Sequence, residues 1–369
     1  MNYRFAGGKN CQRLCEGYIE PFYCSDFKLM NASTTPVRTP AYKPGLARLA
    51  AVSIAWAFLL ICLGAFTTSI GAGMAFADWP LSNGSLNPTG WLHNISMFAE
   101  HSHRLTAGVM SLITIALAAW LWRRESRAWL RKLALFAVGL VFAQAVVGGL
   151  RVLLDQWHVA MVDTSVGRLF AMLHACLAQG FLCVLVAIAL ASSRAWTNEK
   201  NKFSFTAGTR RLGVVCCALL FLQLAIAAVM RHSFAGLAIP TFPWSSADHG
   251  LLPPVWNFRV GLNFTHRVMA GIITVALVIL TGKIWAHRTA TTTVRGMAAG
   301  LMSLLSLQIF LGASVIWTAR APFFTTAHVI VGAATLATTF GLTWWMHRDS
   351  FVGPKPPAPA RTQREYASA

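Results

Sequence analysis

Acidic residues are scarce in this sequence: Asp and Glu number 12 against 31 Lys and Arg, and charged residues make up only 12% of 369 positions. A soluble domain carries about 25% charged residues, so a water-soluble globule is excluded. Positive charge is missing too where it would be expected by chance. Residues 71–102 contain no Lys or Arg, and 232–265 contain only Arg259. Neither stretch contains cysteine, which excludes a disulfide framework there. Cys62, Cys176, Cys183, Cys216 and Cys217 fall inside apolar runs, where a free thiol behaves as a small hydrophobe. Cys11, Cys15 and Cys24 lie in the N-terminal segment and lack the close pairing of a zinc site.

What the sequence has in abundance is hydrophobic residues, 56% of the chain, with a mean hydropathy of +0.54. They come in blocks near 49–70, 105–122, 133–153, 169–191, 212–231, 267–286, 296–317 and 325–346, each near the length of about 20 residues that crosses a bilayer. The fold class expected is an all-α integral membrane protein with eight transmembrane helices. The net charge of +19 is distributed as topology requires. Arg123, Arg124, Arg127, Arg131 and Lys132 fall between spans 2 and 3, and Arg194, Lys200, Lys202, Arg210 and Arg211 between spans 4 and 5. This is the positive-inside pattern, which makes both termini cytoplasmic and the long charge-poor loops external. The basicity therefore does not point to nucleic acid. No cleavable signal is evident. Residues 1–29 look unrelated to the rest of the chain, with Met30 as an alternative start, and the Pro-rich end reads as disordered.

The chain also repeats itself. Gly73–Pro80 aligns with Gly236–Pro243 at an offset of 163 residues, and His103-Arg-Leu-Thr-Ala-Gly108 aligns with His266-Arg-Val-Met-Ala-Gly271 at the same offset. Near that offset Gln144-Ala-Val-Val-Gly148 matches Gln308-Ile-Phe-Leu-Gly312, and the His174 segment matches the His328 segment. The repeat implies two pseudo-symmetric four-helix bundles. With an even number of spans each they are parallel, related by an axis along the membrane normal. The expected organisation is a cytoplasmic tail over 1–48, an N-terminal half over 49–192, a cytoplasmic linker over 193–211, a C-terminal half over 212–346 and a disordered tail over 347–369.

Of the eleven histidines, only His103, His174, His266 and His328 have a counterpart in the other half. All four are expected at the outer ends of even-numbered spans. A single membrane histidine usually bonds a neighbouring helix, but duplicated pairs at one depth suit the two axial positions of a haem iron. Zinc fits worse, because no further cysteine or carboxylate completes a tetrahedral set in the C-terminal half. The expected sites are His103 with His174 and His266 with His328. His93, His101, His158, His232 and His249 read as outer interface or loop residues, and His287 and His347 as their inner counterparts.

Arg104 and Arg267 follow a ligand in each half. They suit either haem propionates or an anchor at the headgroups, and Arg151, Arg168 and Arg231 share that ambiguity. Glu100, three residues before His103, has Asn263 as its counterpart. A carboxylate can hold a proton or stabilise a cation, and an amide cannot; a helix-capping role suits Glu100 as well. The N-terminal half thus reads as the reacting site. Asp78, opposite Thr241, reads as a loop or cap residue.

Two four-helix halves, Glu-x-x-His-Arg opening span 2, His-Arg opening span 6, histidines in spans 4 and 8, and GAGMAFADWPL after span 1 resemble the haem A synthase family over about residues 49–346. The absence of outer-loop cysteines places the resemblance with the branch that lacks them, without a disulfide mechanism. The resemblance implies oxidation of the C8 methyl of haem O to a formyl group by successive hydroxylation, giving haem A. It implies Glu100 as the catalytic acidic residue, His103 and His174 at the substrate haem, and His266 and His328 at a haem b cofactor. It further implies a bacterial inner-membrane location, delivery of haem O by haem O synthase, an electron donor of unspecified kind, membrane lipid around the chain and a second copy of the chain as partner. The chief rival is a di-haem cytochrome b-like electron carrier, which has no need of a one-sided Glu100. A solute transporter would show paired mid-span breaks, and an assembly factor would need no duplicated ligands.

Overall fold

The computed structural model describes residues 42–159, 164–197 and 205–352. The N-terminal segment with Cys11, Cys15 and Cys24, the centre of the linker with Lys200 and Lys202, and the Pro-rich end lie outside the described residues. Among the described residues, eight helices are long and apolar enough to cross a membrane: α1 Pro44–Ser69, α2 Ile95–Arg124, α3 Ala128–Leu153, α4 Val166–Ser192, α5 Ala207–His232, α6 Phe258–Ala286, α7 Thr292–Trp317 and α8 Pro322–Met346. Their mean hydropathies run from 1.4 to 2.6. Leu112, Phe136, Val275 and Phe310 point outward from four of them and are more than half exposed, which suits a face solvated by lipid.

Side chains at the entry points explain where the helices begin. Asn94 accepts from the Ser96 and Met97 N–H groups at the start of α2, and Asn257 accepts from Val260 N–H at the start of α6. Ser165, Thr206 and Thr291 do the same for α4, α5 and α7. Pro44 and Pro322 start α1 and α8, where a missing N–H costs nothing. The helices begin earlier than the hydropathy blocks. Span 2, expected from 105, starts at Ile95, span 6, expected from 267, starts at Phe258, and α1 begins at Pro44 inside the expected tail. The first turns of α2 and α6 carry polar residues that lower local hydropathy, yet both are well capped and remain helical.

Neighbouring helices pack in two rings. In one, α1 meets α2 and α4, and α3 meets α2 and α4; in the other, α5 meets α6 and α8, and α7 meets α6 and α8. The rings join where α1 and α4 meet α8 and where α4 meets α5. Small residues make the close approaches, as expected where lipid supplies no hydrophobic drive between helices. Ala50, Ser53 and Ala57 are buried on α1, and Ala134 and Ala137 on α3. At the α5–α8 contact, a Cβ on Gly213 would stand 2.7 Å from Thr343 Oγ1 and 2.8 Å from Met346 Cε. At the outer end of the seam, Ser69 Oγ of α1 accepts from Arg231 of α5 at 2.9 Å and from Thr326 of α8 at 3.0 Å.

Among the described residues, the connections that follow α1, α3 and α5 hold little regular structure: a 3-10 turn at Ala235–Leu237, and an antiparallel pair, His158–Val159 with Thr164–Ser165, at the end of α3. Gly213→Leu should force α5 from α8 and cost about 1–3 kcal/mol, read as a lower thermal midpoint of the detergent-solubilised protein.

Candidate functional site

Three of the four duplicated histidines occupy the ninth position of their helix: His103 in α2, His266 in α6 and His174 in α4. His328 is the seventh residue of α8. The sequence places His103 and His266 at helix mouths; the structure sets them two turns inside. Their neighbouring helices are cut away to receive them. A Cβ on Gly64 of α1 would stand 2.9 Å from His103 Cε1, one on Gly148 of α3 would stand 3.0 Å from His174 Cε1, and one on Gly312 of α7 would stand 3.1 Å from His328 Cε1. Gly148 and Gly312 are the matched glycines of the Gln-x-x-x-Gly repeat, so the motif makes room for the second histidine of each half.

The matched glutamines serve the same rings. Gln144 Nε2 donates to the His174 carbonyl at 3.0 Å, and His174 Nδ1 lies 3.1 Å from the Gln144 carbonyl. With Nδ1–H bonded there, Nε2 is the free lone pair, the arrangement by which metal-binding histidines are oriented. In the other half Gln308 Nε2 contacts His328 Nε2 at 3.4 Å, while Gln223 contacts His266 Nε2 at 3.4 Å and donates to its carbonyl at 3.0 Å. Gln223 has Leu60 as its counterpart, so the repeat carried no signal for it.

The His103 and His174 rings lie edge-to-face, with centroids 6.5 Å apart and planes at 76°. Two imidazoles on opposite sides of one metal, with metal–nitrogen bonds of about 2 Å, put ring centres roughly 6–6.5 Å apart. His266 and His328 lie within Coulombic reach of each other. Nδ1 of His266 is buried without a partner, as is the amide oxygen of Gln144, Gln223 and Gln308. Among the described residues no group of three His, Cys, Asp or Glu gathers. Paired imidazoles in bundle interiors, with no third donor, fit the two axial positions of a haem iron and fit a tetrahedral metal poorly.

The loop that precedes each of α2 and α6 is held by an arginine in a duplicated clamp. Arg104 donates to the carbonyls of Phe76, Asp78 and Leu81 and to Glu100 Oε1. Arg267 donates to the carbonyls of Ile239, Thr241 and Trp244 and to Asn263 Oδ1. Each partner in one half has its counterpart, 163 residues on, in the other. The two halves differ in the remaining contacts of the residue at 100 and 263. Glu100, 4% exposed, accepts from Ala75 N–H at 2.6 Å and Phe76 N–H at 3.3 Å. Asn263 reverses the polarity and donates to the carbonyls of Ala235 and Gly236, each at 3.0 Å. The cap of α2 is Asn94, so Glu100 is not a capping residue.

Asp78 does have the loop role the sequence suggested: its carboxylate accepts from Asn83 N–H at 2.8 Å and Gly84 N–H at 2.7 Å. Slight burial pushes its pKa up, but these two bonds outweigh that and hold it below the usual carboxylate range. His101, expected as an outer interface or loop residue, is only 3% exposed. Its ring nitrogens meet Ser82 Oγ at 2.9 Å and the Leu86 carbonyl at 3.1 Å, pinning the 82–86 turn to α2. The repeat hid this residue because His101 is opposed by Phe264, with no polar partner to match.

A sequence profile of the COX15-CtaA family, described as cytochrome oxidase assembly protein, matches residues 47–340. The chain belongs to this family. Its match spans all four histidines and both arginine clamps. Among the relatives, the protein named heme A synthase from Shouchella clausii is 27% identical over 283 residues, covering 75% of this chain and 88% of its own. That of Bacillus licheniformis is 28% identical over 221 residues, covering 59% and 68%, and that of Alkalihalophilus pseudofirmus 26% over 271 residues, covering 71% and 84%.

Gly312→Leu should press on the His328 ring and abolish one bis-histidine haem signal while leaving that of His103 and His174, read by low-temperature electron paramagnetic resonance.

Proposed function

We propose that this membrane protein is a haem A synthase, which converts the C8 methyl of haem O to a formyl group. The observation that carries the reading is the duplicated histidine pair with a buried carboxylate beside only one of the pairs. The substrate haem O sits in the N-terminal half, over 49–192, between His103 and His174. The C-terminal half, over 212–346, holds a resident haem b between His266 and His328, which supplies a one-electron relay when bound. Both termini are cytoplasmic and both histidine pairs lie toward the outer face of a bacterial inner membrane, because the basic loops sit at the opposite helix ends. Haem O synthase is the natural source of the substrate; the electron donor is a separate protein or quinone.

The chain's own contribution is position and charge. His103 and His174 would hold the substrate ring in the bundle, beside the clamped 75–86 loop. Glu100 is held by Arg104 and two backbone N–H groups, so it presents a fixed negative charge that needs no reorganisation. That charge stabilises the cation developing as the methyl is oxidised. Each hydroxylation would use dioxygen, with two electrons from the donor and two protons reducing its second oxygen atom to water, and the geminal diol formed after two rounds loses water to leave the formyl group. Asn263 lacks the charge, so the haem in its half is not oxidised.

Glu100→Gln should retain both bis-histidine signals while haem A formation falls about 10²–10³-fold, measured by chromatography and mass analysis of extracted haems from cells supplied with haem O. Full conversion by this variant would overturn the assignment of Glu100, and two stable b-type haems with no product in the wild type would overturn the activity.

A further inference from the structure

Arg104 and Arg267, within Coulombic reach of His103 and His266, are engaged with loop carbonyls, and further arginines lie near the histidine pairs. Arg151, near the end of α3, lies within Coulombic reach of both His103 and His174. Arg231, near the end of α5, lies within Coulombic reach of His328 and of Arg320, in the turn between α7 and α8. The repeat does not generate these positions: Val315 stands where it would place a second Arg151, and Thr68 where it would place a second Arg231. Space nevertheless brings two of them to equivalent places. The glycines at 73 and 236 are matched, and a Cβ on Gly73 would collide with the Arg151 guanidinium, while one on Gly236 would stand 3.6 Å from Arg320 Cδ.

These cations lack anions. The two ion pairs among the described residues are Arg104–Glu100 and Arg127–Glu125. Arg151 bonds through Nη1 to the Gly73 carbonyl and to Met74 Sδ. Arg231 crosses the seam through Nη2 to the Ala65 carbonyl and Ser69 Oγ, and its Nε is buried without a partner. Glu100 and Asp155 are both within reach of Arg151, but Glu100 is ion-paired with Arg104 and Asp155 Oδ1 accepts from Ser165. Half-buried guanidinium groups at the end of an apolar bundle are best matched by carboxylates or phosphates, and a haem carries two carboxylates on one edge of an otherwise apolar ring.

We propose that these arginines hold the haem propionates: Arg151 in the N-terminal half, and Arg231 with Arg320 in the C-terminal half. The inference rests on the haem assignment above and deepens it. Arg104 and Arg267 are then loop clamps, and the unrepeated arginines set the orientation of each ring, with the propionate edge toward the outer face.

The same guanidinium chemistry would take a lipid phosphate, so the test separates the two sources. Full-length protein is titrated in nanodiscs with haem b and with haem b dimethyl ester, each site being read in a His328→Ala or His103→Ala background. Wild type should bind the free acid roughly ten- to a hundredfold more tightly than the ester. Arg151→Gln should erase most of that preference at the N-terminal site, and Arg231→Gln or Arg320→Gln at the C-terminal site. The bis-histidine absorbance should persist throughout, and Arg231→Lys should restore part of the preference. Thermal midpoints report folding, and the wild-type acid-to-ester comparison stands even where a variant fails to fold. Equal binding of acid and ester by the wild type would overturn the proposal. So would glutamine variants that lose co-purifying phosphatidylglycerol while keeping the acid preference. If the wild type takes up no haem with a bis-histidine spectrum, the haem assignment itself falls.

Discussion

Arg104 and Arg267, each turned outward onto three backbone carbonyls of the loop that precedes its helix, are the contacts on which the outer part of this molecule depends. Residues 70–94 and 233–257 contain almost no regular structure, so their carbonyls need donors that a helix or sheet would otherwise supply. One guanidinium satisfies several at once because its donors fan out in a rigid plane. The residue one turn earlier, Glu100 or Asn263, fixes the guanidinium from the other side. The loop is thereby pressed onto the outer end of each bundle, and the histidine one residue before the arginine is left directed inward.

That arrangement explains why the two halves can differ chemically without differing in shape. Glu100 accepts N–H groups and Asn263 donates to carbonyls, yet both also hold the arginine behind them. The exchange leaves the clamp intact and changes the local charge by one unit. Two similar cradles thus differ by one carboxylate.

The histidine cradles rest on the absence of side chains as much as on their presence. Gly64, Gly148 and Gly312 allow an imidazole to lie against a neighbouring helix backbone, and a glutamine fixes three of the four ligand segments in the bundle wall. The seam between the halves works differently. It includes an arginine that the repeat does not predict, Arg231, which reaches across to α1.

Residue order and spacing were enough to determine the membrane class, the eight spans, the internal duplication and its four matched histidines, because hydropathy blocks and internal repetition are one-dimensional signals. Helix starts were placed late, since polar residues of a well-capped first turn look like loop to a hydropathy count. The roles of His101, Gln223 and the arginines were decided only by tertiary structure. His101 looks incidental until the 82–86 turn folds back onto its ring, and Arg104 looks like a ligand to propionates until three carbonyls arrive around it. Hydrogen-bond partners distant in sequence leave no periodic trace, and a long side chain reaches whatever the fold brings within its length. The chain therefore specified which residues were duplicated, while the packing of loop on bundle and bundle on bundle decided what each could touch.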